Sequence, residues 1–264
     1  MKRIIYFIFI ILLLTSCATV PVTGRRSLNL IPTETINSMS FQQYDEFISN
    51  NKLSADKDKQ ALVAKVGRNI QLAVERYFRM KGMSDQLKNY DWEFHLVEND
   101  EVNAWCMPGG KVVFYTGILP YTRDETGMAV VMGHEIAHAI AGHGNERMSQ
   151  ALIAQMGGMA LSKALEEKPK ETQALWMSAY GLGAQFGVLL PYSRLHESEA
   201  DHLGLIFMAM AGYDPETAIT FWERMSAAKG GKSIPEFMST HPADETRIKN
   251  LTSLLPEARQ YYKK

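Results

Sequence analysis

Cysteine is scarce in this chain, which has two among its 264 residues, Cys17 and Cys106. If Cys17 is covalently modified, no pair remains for an intramolecular disulfide, even in an oxidising compartment. The fold must therefore be stabilised by a hydrophobic core, and a chain of this length with 46% hydrophobic residues can form one. Small domains held together by disulfides are excluded.

An excess of charge of one sign is also absent. The chain has 28 basic and 29 acidic residues, which gives a formal net charge of −1, and these residues are spread along its length. Because a nucleic-acid interface needs a basic cluster, we expect no nucleic-acid partner. The sequence has no repeat of fixed period and no low-complexity tract, which argues against a repeat architecture.

The apolar run near the N-terminus is too short to cross a membrane. Residues 4–14 follow Lys2 and Arg3, and a transmembrane helix needs roughly 20 apolar residues. Basic residues before a short apolar run are typical of an export signal. The run ends in Leu14-Thr15-Ser16-Cys17, which resembles the bacterial lipobox. This resemblance implies cleavage before Cys17 and a lipid on that cysteine; the alternative is an ordinary signal peptide or a core segment.

We therefore predict a lipoprotein signal peptide over residues 1–16 and a lipidated tether, or a segment on the domain surface, over 17–32. The second stretch contains prolines and a glycine with little periodicity. One folded domain is expected over 33–264. Lipid on Cys17 would anchor it beside a membrane that it does not cross.

The periodicity of this domain predicts mainly α-helix with a small β-sheet, an α+β fold. A helix is expected from Thr33, a second over 55–80, and helices again from Asp124 onward. Alternating apolar residues predict strands over 92–97 and 111–116.

Residues 149–190 are rich in methionine, alanine and glycine. The preferred interpretation is two buried helices that pack closely through small residues, because apolar methionine faces are usually core. The alternatives are a mobile lid and a membrane-facing surface.

The strongest chemical signal is His134-Glu135-Ile136-Ala137-His138. Residues four apart lie on one helix face, so His134 and His138 can hold one metal ion. Glu135 is rotated by about 100° from His134, which allows its carboxylate to reach a water on the metal as a general base. Apolar neighbours indicate that the histidines are partly buried.

Zinc at a catalytic site takes three protein ligands and leaves one position open. The metzincin pattern is excluded, because Ala141 and Gly144 stand where it has glycine and histidine. His143 points to another face, and we assign it to a structural hydrogen bond. The acid-rich segment 193–201 offers the best third ligand.

Within that segment, Glu197 and Asp201 share one helix face. His196 and Glu199 are rival ligands that the sequence does not exclude. Their helical phases differ from that of Glu197 by about 100° and 200°, and we assign both to the surface.

HExxH followed about 60 residues later by ExxxD resembles the gluzincin metallopeptidases that include the CAAX prenyl endopeptidases and the Oma-type proteases, here a bacterial periplasmic lipoprotein branch. The resemblance implies a zincin-like metalloprotease domain with the HExxH motif on its active-site helix and one Zn²⁺ per chain. It also implies that His134, His138 and Glu197 bind the metal and that Asp201 orients a ligand histidine from behind.

Asn103-Ala104-Trp105-Cys106-Met107-Pro108-Gly109-Gly110 is similar to the NAF-x-x-PGG segment of the family, with Trp105 in place of phenylalanine. The resemblance implies a strand beside the cleft, in which Asn103 and Ala104 bind an extended substrate by strand addition. A plain β-hairpin is the alternative and is compatible with that role.

Ser239-Thr240-His241-Pro242, with Arg247, matches the C-terminal THP segment of the family. His241 is therefore expected near the metal, where it either stabilises the oxyanion or plugs the open position at rest. A structural histidine in a loop is the third possibility.

These features predict a zinc-dependent endopeptidase, and the resemblance to the family implies misfolded or stalled envelope polypeptides as its substrates. The alternative is an envelope chaperone or assembly factor with a latent zinc site. A scaffold with a structural zinc is disfavoured, because such sites usually have four protein ligands. The expected location is the bacterial cell envelope, at the periplasmic face of the outer membrane, since Ala18 is not the aspartate that retains some lipoproteins at the inner membrane. The oligomeric state is left open.

Overall fold

The structure, a computed structural model, describes residues 17–166, 168, 170–185, 190–227 and 236–262. The predicted signal peptide 1–16 lies outside the described residues. The remaining chain divides into two compact units, a smaller one of residues 17–32 and 142–196 and a larger one of residues 33–141 and 197–262. Within the described ranges, no helix is both long and apolar enough to span a membrane. The predicted domain boundaries stay predictions.

Helices make up most of the larger unit, and a small sheet completes it. The helices are α1 (Thr33–Asn50), α2 (Lys57–Met80), α3 (Leu119–Thr122), α4 (Glu125–Ile140), α7 (Leu190–Met210, which belongs to this unit from Glu197 onward), α8 (Thr217–Ala227), α9 (Glu236–Thr240) and α10 (Glu245–Tyr261). The strands are β3 (Glu93–Val97), β4 (Ala104–Met107) and β5 (Lys111–Tyr115). The predicted α+β fold class is confirmed, and the helices and strands predicted over 33–124 lie close to their expected positions.

The three strands have the order β3-β5-β4. Strand β5 is central and buried along its whole length; it pairs parallel to β3 and antiparallel to β4. A tight turn with Gly109 and Gly110 at positive φ joins β4 to β5, a conformation that glycine adopts without strain. Strand β4 is therefore an edge strand among the described residues, and it packs against α4.

Helix α4 forms the centre of the larger unit. Its N-terminus is fixed by Asp124, whose side chain accepts a hydrogen bond from the Gly127 backbone N–H at 2.8 Å, as is typical of an N-cap residue. Every residue from Gly127 to Ile140 is buried. Polar side chains on a helix that is covered on all sides are costly unless they have partners. The buried His134, Glu135 and His138 are therefore expected to contact other polar groups.

Helices α4 and α7 cross where two glycines face each other. A Cβ at Gly133 would lie 2.9 Å from the Gly204 carbonyl oxygen, and a Cβ at Gly204 would lie 3.0 Å from the His134 backbone nitrogen. The two backbones are thus in direct contact at this point. This close approach places the first turns of α7 within the larger unit beside the HExxH turn.

In the smaller unit, residues 17–32 form an antiparallel hairpin of β1 (Cys17–Thr19) and β2 (Arg26–Leu28). Strand β2 packs on helix α5 (His143–Ala164), which in turn packs on α6 (Lys170–Ala184). The stretch predicted as a tether or surface segment therefore has regular structure.

The preferred interpretation of residues 149–190 as two buried helices is wrong for most of their apolar side chains. Helices α5 and α6 do pack through a small residue, Gly157, against Tyr180. However, seven large apolar residues of these helices are exposed: Met148, Leu152, Ile153, Met156, Met159, Leu175 and Trp176. A pair of helices has too little mutual contact area to cover the apolar faces of both.

Candidate metal centre

The four side chains expected around a metal come from three places in the larger unit. His134 and His138 lie on α4, Glu197 lies on α7, and His241 directly follows α9, where its backbone N–H donates to the Phe237 carbonyl at 2.9 Å. His134, His138 and His241 are buried, and Glu197 is nearly so. One ligand atom from each lies within 4.8 Å of the others.

The separations between these atoms are short and nearly equal. His134 Nε2 lies 3.1 Å from both His138 Nε2 and His241 Nδ1. The Glu197 carboxylate is 3.4 Å from His134 Nε2, 3.3 Å from His138 Nε2 and 2.9 Å from His241 Nδ1. Three imidazole nitrogens and a carboxylate thus converge on one point.

This donor set fits a zinc ion. Ligand atoms about 2.0 to 2.1 Å from a tetrahedral zinc are about 3.3 Å from one another, close to the separations found here. Neutral imidazole nitrogens that face each other repel through their lone pairs, unless a proton or a cation lies between them. Imidazole and carboxylate are also the ligand types that zinc takes in catalytic sites.

Asp201 lies behind His134. Its Oδ1 is 3.1 Å from His134 Nδ1, and Arg247 donates to both its oxygens, from Nε at 2.9 Å and from Nη2 at 2.7 Å. The Arg247 guanidinium stacks on the Trp222 ring, with Cζ 3.3 Å from the ring centroid. His134 is thereby held with Nε2 towards the cluster.

The charges of the cluster follow from these contacts. Burial alone lowers the pKa of His134, but hydrogen bonds to Asp201 and Glu197 outweigh it and raise this pKa to about 9. Burial opposes ionisation of Glu197, yet the three histidines hold its pKa far below the usual range. The charge of Arg247 likewise lowers the pKa of Asp201 against the effect of burial. A metal that binds here must displace protons from the imidazoles.

Glu135 lies beside the cluster without joining it. Its buried Oε1 has no hydrogen-bond partner among the described residues and is 3.5 Å from His241 Nε2. Burial raises the pKa of this carboxyl group. A carboxylate oxygen without a hydrogen bond in a buried site is available to accept a proton.

Comparison with known families decides the classification. Residues 64–255 match the model of peptidase family M48. The chain belongs to peptidase family M48. The predicted resemblance to the Oma-type gluzincin peptidases is thus confirmed. Residues 1–18 separately match the model of a prokaryotic membrane lipoprotein lipid attachment site.

Similar proteins include mitochondrial metalloendopeptidase OMA1 of Schizosaccharomyces pombe, 35% identical over 90% of this chain and 66% of that protein. The mitochondrial metalloendopeptidase OMA1 of Bos taurus is 30% identical over 95% of this chain and 48% of its own length. The beta-barrel assembly-enhancing protease of Escherichia coli is 28% identical over 60% of this chain and 33% of its own length. This M48 chain therefore spans less than two thirds of the length of each of these relatives.

The predicted substrate-binding residues of this M48 chain lie at the start of the edge strand. The Asn103 carbonyl accepts from the Tyr115 backbone N–H at 3.1 Å, and the Asn103 side chain accepts from the Ala104 N–H at 2.9 Å. Burial raises the pKa of the Cys106 thiol on the same strand, and the charge of Glu135 raises it further. Strand β4 packs against α4, the helix that carries Glu135. The edge strand β4 therefore runs beside the helix of Glu135, the candidate general base.

Two expectations were wrong. Glu199 and His196 were assigned to the surface, and both are buried. In the smaller unit, His196 contacts Glu146 at 2.9 Å and stacks on the buried His143 at 4.2 Å between ring centroids. Helix α7 is covered on more than one face, so a different helical phase from Glu197 does not put a side chain in solvent.

Sequence reasoning also missed three residues that build the site and the role of a fourth. Arg247 was noticed only as part of the THP segment, and its contact with Asp201 had no sequence signal of its own. Trp222, Gly133 and Gly204 were not singled out. The sequence hint was Gly133, directly before His134, because a glycine can mark a point where the backbone of another element comes close.

Proposed function

We propose that this chain is a zinc-dependent endopeptidase of the cell envelope, with one zinc ion held by His134, His138 and Glu197. The observation that carries the proposal is the convergence of these three ligand groups, with the buried Glu135 one residue along α4 from the first of them. Membership of peptidase family M48 supports the reaction type.

The chain's own groups have separate tasks in this reaction. Zinc, when bound, supplies positive charge that polarises the scissile carbonyl and acidifies water in the site. Glu135 accepts a proton from the attacking water at Oε1 and delivers it to the amine released when the C–N bond breaks. Asp201 holds His134 in the tautomer that presents Nε2 to the cluster.

The substrate is proposed to bind as an extended strand along β4. An edge strand has backbone groups that a second strand can pair with, and the Asn103–Ala104 end of β4 is where we propose that pairing begins. Main-chain pairing selects for an extended backbone more than for particular side chains, which suits unfolded polypeptides. We propose misfolded or stalled envelope proteins as the substrate class.

The proposed location is the periplasmic face of the outer membrane, with Cys17 carrying lipid. The lipid attachment match over residues 1–18 supports an anchored protein. A relative whose name refers to β-barrel assembly is consistent with a role near that membrane.

The deciding experiment replaces Glu135 by glutamine in the full chain. The Glu135→Gln variant should bind one equivalent of zinc, measured by elemental analysis, and lose cleavage of unfolded casein. The exposed Glu101 gives a matched control, and Glu101→Gln should retain both zinc and activity. A Glu135→Gln variant with full activity would sink the proposed role of this residue.

A second candidate function is an envelope chaperone or assembly factor with a latent site. The position of His241 favours it, because Nδ1 lies 2.9 and 3.0 Å from the two Glu197 oxygens, where a fourth ligand would close the site. His241→Ala should raise casein cleavage if His241 is a plug and lower it if His241 stabilises the oxyanion. If neither the parent nor the His241→Ala variant cleaves casein, the chaperone function is favoured.

A further inference from the structure

The α5–α6 pair contains two long stretches without charge. Residues 148–162 and 172–185 have no aspartate, glutamate, lysine or arginine. Besides Met148 at the very start of the first stretch, six large apolar side chains on these stretches are exposed and are called here the hairpin surface: Leu152, Ile153, Met156, Met159, Leu175 and Trp176. Leu175 is 70% exposed, Met159 58% and Trp176 56%. Leu152, Met156 and Met159 recur at intervals of four and three residues and therefore share one face of α5. Contiguous apolar surface of this kind is rare on soluble proteins, so this surface needs something to cover it.

Helices α5 and α6 contact each other through Tyr180, which packs against Ala154 and Gly157. The Tyr180 hydroxyl donates to the Ala154 carbonyl at 2.7 Å, and the Tyr180 ring covers Gly157. The side chains of the hairpin surface remain exposed although this contact is formed.

Regular backbone structure links the first turns of α5 to Cys17, the residue proposed to carry the lipid. Cys17 pairs with Leu28 in the β1–β2 hairpin. Two residues later, the Leu30 N–H donates to the Ser149 hydroxyl at 2.9 Å, and the Asn145 side chain donates to the Ile31 carbonyl at 2.7 Å.

A partly buried ion pair reinforces the link. Arg25 makes two hydrogen bonds, of 2.8 and 2.7 Å, to the Glu146 carboxylate. Ser149 is one turn of helix from Leu152 and Ile153, so the anchor residue and the hairpin surface belong to one folded unit.

We propose that the hairpin surface lies in the interface of the phospholipid bilayer that holds the acyl chains on Cys17. This inference rests on the lipid anchoring within the proposed function. An anchored protein keeps this unit next to a bilayer at high effective concentration, which favours the bilayer over a second copy of the chain as the occupant.

The composition of the helices also fits a lipid surface. At the α5–α6 turn the uncharged stretches are bounded by three lysines, Lys163, Lys168 and Lys170, and by three glutamates, Glu166, Glu167 and Glu171. Lys163 is paired with Glu166, whereas the exposed Lys168 and Lys170 have ammonium groups that can reach lipid headgroups. Helices of 22 and 15 residues with these flanks lie in the interface and do not cross it. Tryptophan, here Trp176, is the residue enriched at that depth.

The test measures whether Trp176 contacts acyl chains. Lipidated full-length protein is reconstituted into phosphatidylcholine vesicles with brominated acyl chains and into matched unbrominated vesicles. Bromine quenches only nearby indoles, so the parent should lose emission in the brominated vesicles. Trp176→Phe should abolish most of that bromine-dependent loss, whereas the matched control Trp92→Phe, in the larger unit, should retain it.

Flotation of the vesicles separates the possible failures. Protein that floats without bromine-dependent loss at Trp176 overturns this inference and leaves the lipid anchor intact. Protein that does not float overturns both the anchor and the inference. Shielding of Trp176 from iodide that depends on protein concentration, without bromine-dependent loss, identifies a second copy as the occupant and also overturns it.

Discussion

At the scale of single residues, Asp201 links the metal cluster to the rest of the larger unit. It faces His134 Nδ1 with one oxygen and receives two hydrogen bonds from Arg247. A metal-binding imidazole needs its second nitrogen fixed, because that contact sets the tautomer and the orientation of the ring. We therefore propose that this carboxylate is a positioning residue that acts through His134.

Replacing Asp201 by asparagine tests this assignment. The amide keeps the shape but loses the charge, so we expect zinc affinity to fall by about 10-fold to 100-fold. Competition with a fluorescent zinc chelator measures it. Asp85, an exposed aspartate in the same unit, gives the control Asp85→Asn, which should bind zinc like the parent. Equal zinc affinity in Asp201→Asn would show that Asp201 only supports the fold.

Individual residues also mark the limit of sequence reasoning. The spacing of His134, Glu135 and His138 follows from helix geometry, so the sequence predicts their arrangement. The burial of His196 and Glu199 does not follow from phase within α7, because it depends on which other elements cover that helix. The stacking of Arg247 on Trp222 brings together residues from α10 and α8, and no local pattern encodes it.

At the scale of elements, the α4–α7 crossing sets the geometry of the metal centre. Gly133 and Gly204 let the two backbones touch, and His134 follows directly after the first of them. The motifs HExxH and ExxxD identify the two helices from sequence. The distance between those helices is set by glycines that lie outside both motifs.

Gly204→Ala should therefore damage the site without touching a ligand. Its Cβ would lie 3.0 Å from the His134 nitrogen and 3.1 Å from the Gly133 carbonyl carbon, so the helices must separate. We expect a loss of about 1 to 3 kcal/mol in the free energy of unfolding, together with weaker zinc binding. Denaturant titration and chelator competition measure these two quantities.

The control for that substitution is another helical glycine. A Cβ at Gly181 on α6 would have no atom within 4 Å. Gly181→Ala should leave zinc binding unchanged and stabilise the helix by about 0.5 to 1 kcal/mol, since alanine is the better helix former. If both alanine variants behave alike, the close approach of α4 and α7 does not set the metal centre.

At the scale of the whole molecule, the two units are stabilised by different means. The larger unit has an apolar core that includes Trp222, Phe207 and Phe237, and the proposed metal ligands belong to the same unit. In the smaller unit, the large apolar side chains of α5 and α6 are mostly exposed. Its buried groups include a polar cluster in which Glu146 contacts both Arg25 and His196. We therefore expect acid to affect the smaller unit through this cluster.

Burial alone raises the pKa of Glu146, but Arg25 and His196 outweigh it and lower this pKa from 4.5 to about 2. The unfolded chain then binds the proton more readily, so the contribution of this group is complete above pH 4.5 and is lost as the pH falls towards 2. At about 1.4 kcal/mol per pKa unit, a shift of this size contributes about 3 kcal/mol to the free energy of unfolding at neutral pH. Solvent screens this contribution little, because the Glu146 side chain is only 1% exposed.

Hydrogen exchange of peptides from residues 143–164, in the parent and in Glu146→Gln, measures this contribution. The parent should be more protected than the variant at pH 7, after correction for the intrinsic exchange rate, and the difference should shrink to less than half at pH 3. Peptides from α4 in the larger unit serve as the internal reference and should show little difference between the two proteins. A difference in α5 that is equally large at both pH values would mean that Glu146 acts by packing and not by its charge.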